Sequence, residues 1–341
     1  MRRFLLILAV LALLAAGAVE WVIAAWNAPG PAAPRGNQTV VLIAPGTSLH
    51  RIAEYLGQNG VVSYPLVFEL GLRATRQGAQ VKAGEYAISS RASMKAIAAI
   101  LVAGKSIQHK LTAAEGLTSQ MIHDLVVNDP ALSGDAGPVP PEGTLLPETY
   151  LFTRGTSRRK ILDEMKQAQR KYLDAQWAHR ADGLPFGDSR QAVTLASVVE
   201  KETALPEERR HIAAVFINRL RMGMPLQSDP TIIYGLTKGY PLGHGIRQSE
   251  LDSATPYNTY QFSGLPPGPI CNPGKDSIAA VLHPEKSNDI YFVATGSGGH
   301  VFSDNIAQHQ RNVAALRALE RRQQKAAPGQ AAPSGPVPNR K

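Results

Sequence analysis

The sequence predicts an α+β chain in three parts: an N-terminal transmembrane helix, a small α+β module, and a larger mixed α/β domain. Three observations carry this. An apolar stretch runs from Phe4 to Trp26, broken only by Glu20, and about 20 such residues suffice to cross a bilayer. Residues 38–106 alternate short β-patterned and helix-patterned segments between clear turn signals. Residues 107–325 hold longer helical patterns separated by Pro/Gly-rich loops. With 341 residues, 44% of them hydrophobic, the chain has enough apolar surface for a substantial core.

Arg2 and Arg3 precede the apolar stretch and favour a cytoplasmic start at residues 1–3, with Trp21 and Trp26 at the far interface beside Glu20. The competing reading is a cleaved signal peptide, for which "LLAAGA" offers small residues. Either reading exports the remainder of the chain. Asn27 to Asn37, "NAPGPAAPRGN", has the composition of an extended linker that packs against nothing.

Within 38–106, "QTVVLIAPG" reads as a strand closed by Pro45-Gly46. Ser48 caps a helix over "LHRIAEYLGQNG", a second helix runs through "YPLVFELGLRAT", "VKAGEYAIS" alternates as a strand, and "SMKAIAAILVAGK" is an amphipathic helix with its own serine cap. The resulting β-α-α-β-α order resembles a LysM-like fold, which implies binding of N-acetylated glycans. A structural spacer without ligand is the other reading. From Ile107, "IQHKLTAAEGLTSQMIHDLV" predicts a strand, a turn at Glu115-Gly116 and a helix. A Pro/Gly-rich loop covers 130–142, and a charged amphipathic helix extends from about Ser157 to Ala181. The run from Ala326 to Lys341, "AAPGQAAPSGPVPNRK", predicts a disordered tail.

Composition removes several function classes. A formal charge of +9 suits nucleic acid, an anionic membrane surface or an acidic polymer. The basic residues are scattered, with no aromatic-interleaved basic run, zinc-finger spacing or P-loop, which argues against nucleic acid. Cys271 stands alone, so there is no intramolecular disulfide framework. His283, His300 and His309 have no metal-ligand spacing and read as structural, and no Gly-x-Ser-x-Gly elbow is present. No cofactor is predicted.

Three clusters are candidates for chemistry. In "TLASVVEKETALPEER", Ser189 or Asp188 caps a helix that is apolar on nearly every side, and Pro206 stops it around Ala204. Glu202 then lies in the last turn, where desolvation and the negative end of the helix both oppose ionisation. A carboxyl held protonated near neutrality is what a glycosidase-type general acid requires. Glu200 and Glu202 are two apart and point in different directions, so only one enters a cleft. The competing reading makes both solvated helix-end residues paired with Lys201, Arg209 or Arg210. In "VFINRLRMGMPLQSDPTIIYGL", Pro206 opens the preceding helix, Asn218 sits beside its buried stripe, and Gln227, Ser228 and Asp229 share a loop suited either to sugar hydroxyls or to ordinary turn chemistry. In "DSATPYNTYQFSGLPPGPICNPG", Tyr257, Asn258, Thr259 and Tyr260 combine aromatic faces with amide donors.

Taken in order, "AEGLT", "PEGTLLPETY", "ADGLPF", "LASVVEKETALPEER", "VFINRLRMGMPLQSDPTIIYGL", "TPYNTYQFSGLPPGPICNPG" and "YFVATGSGGHVFSDNIAQH" make the chain resemble the MltG-type (YceG-like) endolytic murein transglycosylases. The resemblance implies a bitopic protein of the bacterial inner membrane with residues 107–325 as a periplasmic catalytic domain. It places the catalytic residue at Glu202, the second glutamate of "EKET". It implies a lyase that cuts between N-acetylmuramic acid and N-acetylglucosamine in nascent strands and leaves 1,6-anhydro ends, beside penicillin-binding synthases. Asn218, Gln227, Asp229, Tyr257, Asn258, Thr259 and Glu148 are the substrate-binding candidates. Glu148 departs from the family's more usual aspartate in "PDTY". Two alternatives stand: a hydrolase pairing Glu202 with Asp229 or Glu148, and a non-catalytic glycan-binding scaffold.

Overall fold

A computed structural model describes residues 2–326, with the side chains of 324–326 outside the description. The tail expected over 326–341 lies outside the described residues, save for Ala326 at the end of the last helix. The chain divides into two compact units, the first made of residues up to Lys110 with 131–133 and 151–156, the second of the remainder.

The first unit opens with α1 (Arg2–Asn27), long and apolar enough to cross a membrane. After it come β1 (Gln38–Ile43), α2 (Leu49–Gln58), α3 (Pro65–Ala74), β2 (Gly84–Ser89) and α4 (Met94–Ala103). β1 and β2 pair antiparallel with Val41 opposite Tyr86. Period-2 alternation puts Val41 and Ile43 with Tyr86 and Ile88 on the buried face, where Ile52, Leu56, Phe68, Leu72, Ile97 and Leu101 close the core. Ser48 and Ser93 cap α2 and α4 as the sequence suggests. The end of α1 belongs to this core: Val22, Ala25 and Trp26 pack on it. Gly71 makes this possible, because a Cβ there would stand 2.4 Å from the Trp26 ring. The segment after α1 is also held, contrary to the linker expectation. Gly30 N–H donates to Arg91 O (3.2 Å), Arg91 N–H to Pro31 O (3.0 Å), and Ala33 N–H to Ser90 Oγ (3.0 Å).

In the order of the chain there follow β3 (Gln108–Thr112), α5 (Ser119–Asn128), β4 (Thr149–Thr153), α6 (Arg158–Ala178), α7 (Ser189–Glu202), α8 (Arg209–Arg221), α9 (Asp229–Thr237), α10 (Gln248–Leu251), α11 (Lys275–Leu282), β5 (Tyr291–Ala294), β6 (His300–Ser303) and α12 (Ile306–Ala326). β3 pairs with β4, and β5 with β6, each as a two-stranded ribbon. The second unit is therefore mixed, as expected, with helices predominating. Its centre is α7: Ala192 to Val199 are all buried, and Leu195, Val198 and Val199 pack with Phe216, Ile217 and Val281 from α8 and α11. Each fully buried Val, Leu or Phe contributes roughly 1.5–3 kcal/mol, which fixes this helix and whatever hangs from its end.

Candidate active site

The acid stands where that buried helix stops. Asp188 caps α7 by accepting Gln191 N–H (2.9 Å), so the helix starts at Ser189. It ends at Glu202 itself, with Thr203 as the capping residue, two residues short of the end expected at Ala204. Pro206 opens no helix; it lies in the turn from Thr203 to Glu208, and α8 begins at Arg209. That turn is pinned. Thr203 Oγ1 accepts Leu205 N–H (3.0 Å), and Glu208 accepts both the backbone N–H of His300 (2.7 Å) and a bond with its Nδ1 (2.7 Å).

Glu202 is part-buried as a residue while its carboxyl group is enclosed, and burial pushes that carboxyl up to about 7. The Ser228 hydroxyl, which donates to Oε1, pulls it down; the charge of Asp229 raises it and that of Arg219 lowers it. Oε2 accepts no hydrogen bond from the described residues. Arg219 is itself buried and rigidly held: Nε donates to Ile290 O (2.7 Å) and Nη1 to Leu226 O (2.8 Å).

The two polar loops singled out in the sequence meet at this acid. Gln227 N–H donates to Thr259 O (3.1 Å), Ser228 N–H to Thr259 Oγ1 (3.0 Å), and Thr231 Oγ1 to Ser228 O (2.6 Å). Gln227 has a positive φ of 55°, the left-handed turn that takes the chain from Leu226 to Ser228. Tyr260 donates its hydroxyl to Asp229 Oδ1 (2.6 Å), across the same seam. Gln227 and Asp229 are exposed, Tyr260 half-buried, and together they form a polar rim.

Several candidate residues have other tasks. Asn218 Nδ2 donates to Ser287 O (2.8 Å) and Asp289 O (3.0 Å), so the amide ties α8 to the stretch before β5. Asn258 and Thr259 are fully buried, with Asn258 Nδ2 on Leu251 O and Ser253 O (2.8 Å each). They shape the loop and cannot touch a substrate. Tyr257 packs edge-on against Tyr234 (4.8 Å between centroids), whose hydroxyl donates to Glu142 Oε2 (3.2 Å), a hub apart from Glu202. Glu148 forms an exposed ion pair with Lys275, with no contact to Glu202 or its loops. Glu200 turns away as its spacing requires, accepting Gly274 N–H (2.9 Å) and facing Arg209 (3.9 Å). Ser228 and Tyr260 belong to the two polar loops read as candidates but not to the substrate-binding set named from the resemblance, and Arg219 belongs to neither. Ser228 carried a signal in sitting between two candidates, whereas Arg219 carried none beyond its place next to Asn218.

The model of the YceG-like family matches residues 41–315. The chain belongs to the YceG-like family. Its similarity to relatives named endolytic murein transglycosylase is concentrated in half of the chain. The Bacillus subtilis (strain 168) protein is 36% identical over 173 residues, 50% of this chain and 47% of its own. The Streptococcus pneumoniae (serotype 2, strain D39) protein is 39% identical over 182 residues, 51% of this chain and 32% of its own. This YceG-like chain thus spans about half or less of the curated relatives it matches. A crystal structure of a YceG-like protein from Listeria monocytogenes aligns with a TM-score of 0.48 at 30% identity, over 81% of this chain and 99% of that one.

Proposed function

We propose that this YceG-like chain is an endolytic lytic transglycosylase that cuts the bond between N-acetylmuramic acid and N-acetylglucosamine within nascent peptidoglycan strands. The observation that carries the reading is the enclosed carboxyl of Glu202, raised to about 7 and held through Oε1 by Ser228, at a polar rim of Gln227, Asp229 and Tyr260. The names of the relatives point the same way.

In this mechanism the proton sits on Oε2 and passes to the glycosidic oxygen as the bond to the muramyl anomeric carbon breaks, so the N-acetylglucosamine side leaves as an alcohol. The 2-acetamido oxygen of the muramyl residue attacks the anomeric carbon and carries the positive charge as an oxazolinium. Glu202, now a carboxylate, takes the proton of the C6 hydroxyl. O6 closes on the anomeric carbon, the acetamide is restored and a 1,6-anhydro end results. Water does not enter the balance, and one acid serves both steps. Such proton transfer contributes roughly 10²–10⁴-fold, and the remainder comes from holding the sugars in place.

The setting belongs to the same reading: α1 over residues 4–26 as an inner-membrane anchor with Arg2 and Arg3 in the cytoplasm, residues 38–106 as a LysM-like glycan-binding module, and residues 107–325 as the periplasmic catalytic domain, working beside penicillin-binding synthases to end strand elongation. Digestion of isolated sacculi and of uncrosslinked strands, followed by mass spectrometry of the new ends, tests the activity. Anhydromuramyl ends support it. Reducing ends mean a hydrolase, for which Asp229, close enough to raise Glu202, is the second carboxylate. No new ends from either substrate mean a non-catalytic scaffold.

A further inference from the structure

The first unit carries exposed apolar side chains beside the end of α1. Trp21 meets Tyr64 edge-on (5.2 Å between centroids), and Trp26 meets Phe68 (6.0 Å) and Gly71. As α1 advances from 21 to 26, its contacts on α3 advance from 64 to 71, so the two helices run in the same sense and the first turn of α3 is the end nearest the start of α1. That turn is apolar and open: Tyr64 is 46% exposed and Leu66 67%, with Leu70 at 50% one turn further on.

Length sets where the lipid ends. From Phe4 to Trp21 every residue of α1 is exposed, and cover by the rest of the unit begins at Val22. At 1.5 Å per residue this bare stretch is about 27 Å long, slightly less than the roughly 30 Å of a hydrocarbon core. A bilayer spanned by α1 therefore reaches the level of Trp21 and whatever stands beside it. We propose that the Tyr64-Pro65-Leu66 tip of α3 dips into the lipid interface next to Trp21, so that the first unit is seated in the membrane surface by two contacts, the anchor and this tip. The occupant of the exposed face is the boundary between headgroups and acyl chains, where aromatic rings and leucines are favoured together. The proposal rests on reading α1 as a membrane-spanning anchor.

The test uses the full chain in phosphatidylethanolamine/phosphatidylglycerol liposomes, with Cys271, which is buried, replaced by serine. Spin labels are attached one at a time at Leu66→Cys, Leu70→Cys, Ala74→Cys and Leu11→Cys. Collision with oxygen, which partitions into lipid, is compared with collision with a water-soluble nickel chelate. The oxygen-to-nickel ratio should be severalfold higher at 66 than at 74, with 70 between, since 66 and 74 are about 12 Å apart along α3. A water-like ratio at 66 alongside a lipid-like ratio at 11 overturns the tip while leaving the anchor intact. Water-like ratios at both overturn the anchor and the tip together. Equal ratios at 66 and 74 in an inserted protein also overturn the proposal, because they abolish the depth gradient.

Discussion

The hydroxyl of Ser228 donates to Oε1 of Glu202, joining the end of the buried helix α7 to the loop that opens α9. The bond favours the carboxylate, whereas burial favours the acid, and burial wins, leaving the group at about 7. A proton donor and acceptor near neutrality follows from that contest.

Replacing Glu202 with Gln should abolish cleavage of purified strands while the protein stays folded by circular dichroism. Its stability should also lose a pH dependence. The folded group titrates near 7 and the unfolded one near 4.5. The parent therefore keeps its full stability below about 4.5 and loses it as pH rises through about 7, by on the order of 3 kcal/mol. The Gln variant has no such loss. Denaturant titrations at pH 4.5 and pH 8 should show the variant gaining on the parent by that amount, and parallel curves would count against an enclosed acid.

Ser228→Ala and Asp229→Asn should move the alkaline limb of the pH–rate profile in opposite directions. Without the Ser228 donor the proton is held more firmly and the limb moves up; without the Asp229 charge it is held less firmly and the limb moves down. Asp229→Asn should still cut and leave anhydro ends. A dead Asp229→Asn enzyme would favour the two-carboxylate route.

His300→Ala should release the turn that follows the acid. Glu208 would lose its bond with the imidazole Nδ1 while keeping the one from the backbone N–H of residue 300, costing roughly 1–3 kcal/mol of stability. Looser placement of Glu202 should lower kcat by about 10- to 100-fold with KM little changed. Steady-state kinetics on a soluble glycan substrate separates this from a binding defect.

The buried helix was legible because Ala192 to Val199 carry no charged side chain and only the small hydroxyls of Thr194 and Ser197 among apolar residues, and because Asp188 is a strong cap. The polar loops were legible as well, through Gln227 to Asp229 and Tyr257 to Tyr260. Their internal division of labour was not. Asn218 and Asn258 have the chemistry of sugar ligands, and nothing local says that carbonyls of 287 and 289, or of 251 and 253, will absorb their donors. Arg219 was invisible for the same reason, since its partners Leu226 and Ile290 converge only in the fold. In the first unit, alternation and serine caps revealed the elements, but the grip of Trp26 on Gly71 depends on a close approach that composition does not encode.

Gly71→Val tests that approach. In an open helix a larger residue at this position would favour the helix, but here its Cβ would lie 2.4 Å from Trp26 Cζ3. Overpacking should cost about 1–3 kcal/mol, seen as a lower unfolding midpoint and altered tryptophan fluorescence in detergent.

The same grip has a mechanical consequence. With Trp26 wedged on α3 and the chain beyond it bonded along Arg91, no swivel separates α1 from the rest of the first unit. Membrane-spanning helices answer a thicker or thinner bilayer by changing their lean, and on the proposed reading of α1 as such a helix the first unit must pivot with it through the same angle.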